Sequence, residues 1–198
     1  GFCKAHAGAF ALPTYQSAWL KTHHRAAFYA GVLTHDPGMY PKRLIVEDAR
    51  QMGVPILGLD INHSRKNFVV EEVEDSYGVR IALSQVKNIS DAEVDSIVAA
   101  QPFADINDMW QRTTVSRPVM QSLVLAGAFD ALHQITKARH QNRSTTTRRD
   151  LYVHVNELAR NHVANREELL FAPTAEAPPL VTGLPEMDEL ERVQAELE

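Results

Sequence analysis

Apolar residues in the first third of the chain recur at a spacing close to one helical turn. Pro13 predicts the first turn of a helix, because proline has no N–H to leave unsatisfied there. The helix is expected to end near the turn signal at 36–38, and a second helix is expected over 43–52, stopped by Gly53. The apolar positions of the first helix are Tyr15, Ala18, Trp19, Ala26, Ala27, Ala30 and Leu33.

The pattern changes from helical spacing to short β-type runs between residues 54 and 87. Residues 54–59 predict a short extended segment. The runs 68–73 and 78–83 are separated by the polar residues 74–77, which form a connection of hairpin length. We therefore predict a single small β-hairpin here.

Helical spacing returns after residue 88. Ser90 followed three residues later by Glu93 has the form of a capping box and predicts the start of a helix. Further helices are predicted over 103–112 and 117–132. The fold class predicted from these elements is mainly α with one small β-hairpin.

The last third of the chain alternates between polar connections and helices. Residues 136–149 are polar and predict a loop, and residues 172–183 contain three prolines and predict a linker. Amphipathic patterns predict helices over 150–170 and 188–198.

Composition narrows the class of protein. The net charge is −5, and 44% of residues are apolar, as in soluble globular proteins. One cysteine, Cys3, excludes an intramolecular disulfide and a multi-cysteine zinc site. No apolar run reaches the length of a membrane span, and no secretion signal occurs, so we expect a cytoplasmic protein. The chain starts at Gly1 without Met, which we interpret as an internal piece of a longer protein.

The charge is unevenly distributed. Residues 1–50 hold six Lys or Arg and three Asp or Glu, whereas residues 60–110 hold four basic and ten acidic residues. A second basic patch covers 136–150. Basic patches of this kind tolerate a polyanion, although a solvated surface explains them as well.

Two groups of basic side chains near the N-terminus are candidates for ligand binding. Lys4 and His6 lie among small residues, and both side chains can donate hydrogen bonds to phosphate. The alternative is a packed helix with two exposed polar residues. The histidines His23, His24 and His35 could suggest a metal, but adjacent helical positions point about 100° apart. We therefore predict no metal site.

Residues 87–90 form a turn that leads into a helix N-terminus, where backbone N–H groups favour a phosphate. Against this reading, acidic residues follow at 91, 93 and 95, and an ordinary capped helix remains the alternative. No phosphate loop, nucleophile elbow or zinc-hydrolase motif occurs, so no catalytic residue is predicted.

Several ordered motifs resemble the bacterial DNA polymerase III alpha subunit family (DnaE type). The run Phe2-Cys3-Lys4-Ala5-His6-Ala7-Gly8-Ala9-Phe10-Ala11, followed by Tyr15-Gln16-Ser17-Ala18-Trp19-Leu20-Lys21, is similar to the end of the family's fingers. The stretches at 60–64, 86–90 and 126–132 resemble its helix-hairpin-helix region. The error-prone, repair-associated branch of the family is the most similar in character.

The resemblance implies a domain plan and an activity. The plan is polymerase fingers over 1–58, a tandem helix-hairpin-helix DNA-binding module over 59–132, a linker with an amphipathic helix over 133–183, and over 184–198 the approach to an oligonucleotide-binding fold. The implied activity is template-directed DNA synthesis in replication or repair. The catalytic carboxylates and the Mg²⁺ that they bind are expected outside this segment.

The resemblance also implies roles for individual residues and partners. It places Lys4 and His6 near the incoming deoxynucleoside triphosphate, and Lys87, Asn88, Ile89 and Ser90 against the backbone of primer-template DNA. A sliding clamp and replisome or repair accessory proteins are expected partners through the parent chain.

Three departures from the family pattern bear on these roles. The DNA-contacting hairpin usually reads Gly-Val-Gly, and glycines let phosphate approach the backbone closely. Asn88 replaces the first glycine but tolerates a left-handed conformation. Cys3 and Ala5 each replace a hydrogen-bonding residue. A stand-alone helix-hairpin-helix adaptor and a helical interaction module remain alternative functions.

Overall fold

A computed structural model of the chain describes residues 3–36, 38–135, 146–167, 180 and 183–197. Residues 136–145 of the loop predicted for 136–149, the helix end predicted at 168–170 and nearly all of the linker predicted for 172–183 lie outside the described residues. The fold is mainly helical, as predicted, and the predicted β-hairpin forms part of a small three-stranded sheet. The chain forms two compact units, one of Gly1–Leu57 with Asn67–Ala82 and one of Gly58–Lys66 with Leu83–Glu198.

The first unit combines three helices with the sheet. The helices are α1 (Lys4–His23), α2 (Arg25–His35) and α3 (Lys42–Gln51), and the strands are β1 (Ile56–Leu57), β2 (Val69–Val73) and β3 (Ser76–Arg80). Within the sheet the strand order is β1-β3-β2.

The prediction that the first helix begins at Pro13 is wrong. Helix α1 begins at Lys4 and carries Pro13 in its interior. The preceding turns are rich in alanine, which has the highest helix propensity and offsets the hydrogen bond that proline removes. The predicted single helix is also interrupted at His24, whose backbone leaves helical geometry at φ −133° and ψ 55°.

The core of the first unit lies between α2, α3 and the sheet, and α1 contributes no buried residue. Asp48 on α3 ties the helices together, because its Oδ2 accepts hydrogen bonds from Lys21 Nζ and Tyr29 Oη, each at 2.6 Å. The buried core residues are Ala26, Tyr29, Ala30, Leu33, Ile45, Ala49, Val54 and Val79.

The predicted hairpin is present as the antiparallel pair β2–β3, in which Val73 pairs with Ser76 across a shorter turn than expected. The segment predicted as extended supplies β1, which pairs parallel with β3. Gly78 permits this pairing, because a Cβ there would lie 2.9 Å from the Pro55 carbonyl oxygen. The hairpin therefore belongs to the unit of the N-terminal helices.

The second unit contains a short 3₁₀ turn and five helices among its described residues. The turn covers Leu83–Gln85, and the helices are α4 (Asp91–Ala100), α5 (Ile106–Arg112), α6 (Arg117–Leu125), α7 (Arg148–Glu167) and α8 (Glu189–Leu197). The helix predicted over 117–132 ends early, at Leu125, because Gly127 adopts a left-handed conformation with φ 81°.

One apolar core of the second unit extends along the chain from residue 61 to residue 155. Its buried members come from the segment 58–66, the 3₁₀ turn, helices α4 to α7 and the connections between them. The largest of them are Ile61, Leu83, Ile97, Ile106, Met109, Met120, Leu123, Phe129 and Leu151. This core holds two turns in place, the one that precedes α4 and the one that follows α6.

Helix α7 begins at Arg148, so the last two residues of the predicted loop are helical. Its first turn is closed reciprocally: Thr147 N donates to Asp150 Oδ2 at 2.9 Å, and Asp150 N donates to Thr147 Oγ1 at 3.1 Å. Asp150 is fully buried and also accepts a hydrogen bond from Leu184 N at 3.0 Å. The segment before α8 is thereby attached to the start of α7.

Candidate nucleic-acid interface

The first hairpin of the second unit, defined here as residues 87–90, joins the 3₁₀ turn to α4. Lys87, Asn88 and Ser90 are exposed, and Ile89 is half-buried. Asn88 adopts the left-handed conformation, with φ 62°, that glycine usually supplies. The turn that the sequence predicted for Asn88 therefore forms without glycine.

Ser90 begins α4 through the predicted capping box. Ser90 Oγ accepts a hydrogen bond from Glu93 N at 3.3 Å, and Glu93 Oε2 accepts one from Ser90 N at 2.9 Å. Glu93 Oε1 also accepts a hydrogen bond from Ser116 N at 2.9 Å. Burial raises the pKa of Glu93, but the donors of Ser116 and Ser90 outweigh it and lower the pKa to about 2.

The other two carboxylates near the hairpin share a cation. Lys66 Nζ lies 3.4 Å from Asp91 Oδ1 and 3.3 Å from Asp95 Oδ1. The hydrogen bond to Asp95, together with the charges of both carboxylates, raises the pKa of Lys66. The acidic residues that argued against an anion here are therefore partly neutralised, and Glu93 is held by internal donors.

Residues 58–66, which precede strand β2, are fixed by hydrogen bonds that position Lys66. Asn62 Oδ1 accepts from Phe103 N at 2.8 Å, while Asn62 Nδ2 donates to the Phe103 carbonyl at 3.0 Å. Gln101 Nε2 donates to the carbonyls of Ile61 and Ser64 at 2.6 and 3.0 Å. Sequence reasoning noted this stretch only as part of a resemblance and missed Lys66, which no local pattern marks.

The structure places Lys4 and His6 in the first turn of α1, where both are exposed. Two helical positions correspond to a rotation of about 200°, so the two side chains leave the helix on nearly opposite sides. The His6 ring packs against Phe10 with 4.7 Å between ring centroids. The structure does not bring Lys4 and His6 together, and their nucleotide role stays a prediction.

The three histidines noted in the sequence, His23, His24 and His35, do not share one contact. His23 and His24 both pack against Trp19, with ring centroids 4.7 and 5.4 Å away, and His35 ends α2. Within the described ranges, no group of three His, Cys, Asp or Glu side chains is placed to hold a metal ion. Cys3 is exposed and unbridged.

None of the helices in the part of the chain that the structure describes combines the length and apolar character needed to cross a lipid bilayer.

Comparison with known proteins agrees with the geometry of the second unit. Residues 53–139 match the family model described as a helix-hairpin-helix motif. The matched range contains the first hairpin, its capped helix α4 and the turn after α6.

Segments of error-prone DNA polymerases align with most of the chain. The enzyme named error-prone DNA polymerase from Teredinibacter turnerae is 35% identical over 147 residues, which are 71% of this chain and 14% of that protein. The one from Nocardia farcinica is 34% identical over 204 aligned residues, which cover all of this chain and 17% of that protein. Error-prone DNA polymerase 2 of Agrobacterium fabrum is 38% identical over 135 residues.

The chain thus spans about a seventh of the length of these relatives, and the match runs through both units. The sequence resemblance to the DnaE type is confirmed by these relatives and by the helix-hairpin-helix match. This chain belongs to the DnaE-type DNA polymerase family, of whose error-prone members it matches one segment.

Proposed function

We propose that this segment holds the backbone of duplex DNA for a template-directed DNA polymerase acting in replication or repair synthesis. The observation that carries the proposal is the exposed first hairpin, in which Asn88 takes the left-handed conformation and Ser90 caps α4. This geometry presents backbone N–H groups and the Lys87 side chain on one exposed turn.

Backbone N–H groups at the first hairpin and the start of α4 support the proposal. Among the described residues, the backbone N–H groups of Lys87, Asn88, Asp91 and Ala92 have no acceptor. Such groups at a helix N-terminus bind phosphate oxygens. The neutralisation of Asp91 and Asp95 by Lys66 lowers the repulsion that a phosphate would meet.

Binding of the chain to fluorescein-labelled duplex DNA, measured by anisotropy across a salt series, tests this function. We expect affinity to fall steeply with salt, because phosphate contacts release counterions. Lys87→Ala should reduce the slope of log affinity against log salt by about 1. Arg43→Ala, which removes an exposed cation from α3, serves as the matched control and should leave the slope unchanged. Salt-independent binding would contradict the proposal.

Catalysis is proposed to reside outside this segment. The catalytic carboxylates and the Mg²⁺ that they hold belong, on this proposal, to other parts of the polymerase. Primer extension by the purified chain with Mg²⁺ and all four deoxynucleoside triphosphates should therefore give no product. Synthesis that co-purifies with the chain and is altered by its substitutions would overturn this part of the proposal.

The exposed Lys4 at the start of α1 is proposed to contact the incoming deoxynucleoside triphosphate, and His6 is proposed as a second contact from another side of the same helix. Lys4→Ala in the full-length polymerase should raise the KM for nucleotide, since a phosphate contact is lost. Unchanged KM and kcat would remove Lys4 from the site. His6→Gln, which keeps one donor, is the matched comparison for the histidine. Contacts with a sliding clamp and accessory proteins belong to the same proposal.

One observation favours a second candidate, a helical interaction module. Helix α1 exposes a run of apolar side chains at helical spacing, of which Tyr15 and Trp19 are 69% and 44% exposed. A module of this kind would bind duplex DNA weakly or not at all. The salt series described above therefore separates the two functions.

A further inference from the structure

The turn after α6, residues 126–129, is the second hairpin of the helix-hairpin-helix module and differs from the first in what surrounds it. We infer that the first hairpin alone carries the DNA contact and that the second hairpin serves as an internal seat for α7, held by Arg148. This inference rests on the proposed function for its DNA half. Its structural half stands on contacts within the second unit.

Three of the four backbone N–H groups in the second hairpin donate to carbonyl groups of the same unit. The N–H groups of Ala126, Gly127 and Ala128 donate to the carbonyls of Ser122, Val124 and Leu123 at 2.9 to 3.0 Å. Asp130 N donates to the Gly127 carbonyl at 3.1 Å, and the Ala128 carbonyl accepts from Ile61 N at 2.8 Å. Residues 126–128 therefore offer a phosphate no unused backbone donor, and the remaining N–H group belongs to Phe129, which is fully buried.

The two hairpins also differ in burial, and the difference again favours DNA contact at the first. Gly127, Ala128 and Phe129 are buried, whereas Lys87, Asn88 and Ser90 are exposed. A phosphate oxygen must come within about 3 Å of an N–H group to accept its hydrogen bond. The buried turn gives it no such approach.

Arg148, the first residue of α7, occupies the space beside the second hairpin. Its guanidinium is bidentate to Asp130, with Nε–Oδ1 at 2.9 Å and Nη2–Oδ2 at 2.6 Å, and its Nη1 donates to the Leu125 carbonyl at 2.8 Å. The side chain is 3% exposed. Its charge and its donors therefore face the hairpin and leave none for DNA.

Gly127 is the complement of this arginine. A Cβ at position 127 would clash with Nη2 and Cζ of Arg148, so a larger residue there would displace the guanidinium from its present position. The left-handed φ of 81° adds a second reason for glycine. In a DNA-contacting hairpin, glycine leaves room for a phosphate beside the backbone. In this second hairpin the same room is filled by Arg148 of the same chain.

Two substitutions that change the net charge by the same amount test the division between the hairpins. Lys87→Ala removes a cation from the first hairpin, and Ala131→Glu adds an anion at an exposed position just after the second. In the anisotropy assay on the full chain, Lys87→Ala should weaken duplex binding roughly fivefold to tenfold at ~0.1 M salt. Ala131→Glu should change it by less than about twofold.

The outcomes distinguish the inference from the function beneath it. Equal weakening by both substitutions would place DNA on both hairpins and overturn the inference while leaving the proposed function intact. Failure of the unaltered chain to bind duplex DNA would overturn the proposed function and the DNA half of the inference together. Weakening by Lys87→Ala alone supports both.

The seat for α7 has its own test. Arg148→Lys keeps the charge but loses the bidentate fork, and amide hydrogen exchange in residues 148–160 should accelerate at least about tenfold while exchange in α4 stays unchanged. DNA affinity should remain within about twofold of the unaltered chain. Unchanged exchange in α7, or weaker DNA binding that equals the effect of Lys87→Ala, would overturn the assignment of Arg148.

Discussion

Helices α1 and α7 have the same length of 20 residues but opposite relations to the rest of the fold. Helix α1 lies in the stretch with the strongest family motifs, yet it buries no residue. Helix α7 lies where the resemblance thins, yet Leu151, His154 and Val155 on it are fully buried. A motif rich in recognisable residues therefore says little about where a chain gains its stability.

The difference follows from what each helix presents. Helix α1 leaves small, polar and large apolar side chains exposed, which suits contact with a ligand or with other polypeptide. Helix α7 places Arg148 beside the turn at Gly127 and packs its apolar face into the core. Both contacts lie within the second unit.

The largest effect is expected from Arg148→Met, which removes a buried guanidinium and leaves Asp130 without its bidentate partner. Loss of one partner from a buried ion pair costs about 3 to 5 kcal/mol, and because the Asp130 side chain is 24% exposed, the expected cost lies near the lower end of that range. Urea unfolding can be followed by Trp110 fluorescence in a Trp19→Phe background, which reports only on the second unit. A loss below about 1 kcal/mol would show that the seat for α7 does not stabilise the unit.

The next effect is expected from Leu151→Ala on the buried face of α7. Truncation of a fully buried leucine leaves a cavity and costs about 2 to 5 kcal/mol. The same Trp110 fluorescence measures it, and Leu151→Met, which nearly conserves volume, should cost less than about 1.5 kcal/mol. If both variants unfold at the same urea concentration as the parent, α7 is not part of the core.

A smaller, pH-dependent effect is expected from His154, which is fully buried with Nε2 2.7 Å from Asn107 Oδ1. Burial lowers the pKa of His154, against the charges of Glu157 and Asp105, which raise it. The unfolded state then binds more protons below the unfolded pKa of about 6.5, so stability is complete above that pH and falls as the pH falls below it.

The slope for one proton cannot exceed about 1.4 kcal/mol per pH unit. Urea unfolding between pH 7 and pH 5 should therefore show a loss that is reduced in His154→Gln. Burial also lowers the pKa of His133, so part of the slope should survive in that variant. A pH dependence identical in His154→Gln and the parent would assign the whole effect to other groups.

The contrast also shows which features local sequence could predict. The hairpin, the capping box at Ser90 and the left-handed tolerance of Asn88 are properties of a few neighbouring residues, and each was predicted. The start of α1 was mispredicted because a proline signal outweighed the alanine-rich turns before it.

Long-range partners were beyond the reach of sequence reasoning. Arg148 lies 18 residues from Asp130, and Lys66 lies 29 residues from Asp95. In each pair the two residues lie outside any common helix or strand, so no local period relates them and only the assembled core brings these groups together. The position of the candidate interface is therefore predictable from the sequence. The roles of Lys66 beside the first hairpin and of Arg148 beside the second are visible only in the structure.

The smallest effect is expected from Trp19→Ala on the open face of α1. Trp19 is 44% exposed and contacts His23 and His24 of its own neighbourhood. Substitutions at such surfaces usually change stability by no more than about 0.5 kcal/mol. Far-UV circular dichroism in urea, at two protein concentrations, measures it without relying on tryptophan. A loss as large as that of Leu151→Ala would mean that α1 is covered in solution, and a dependence on protein concentration would identify a second copy as the cover.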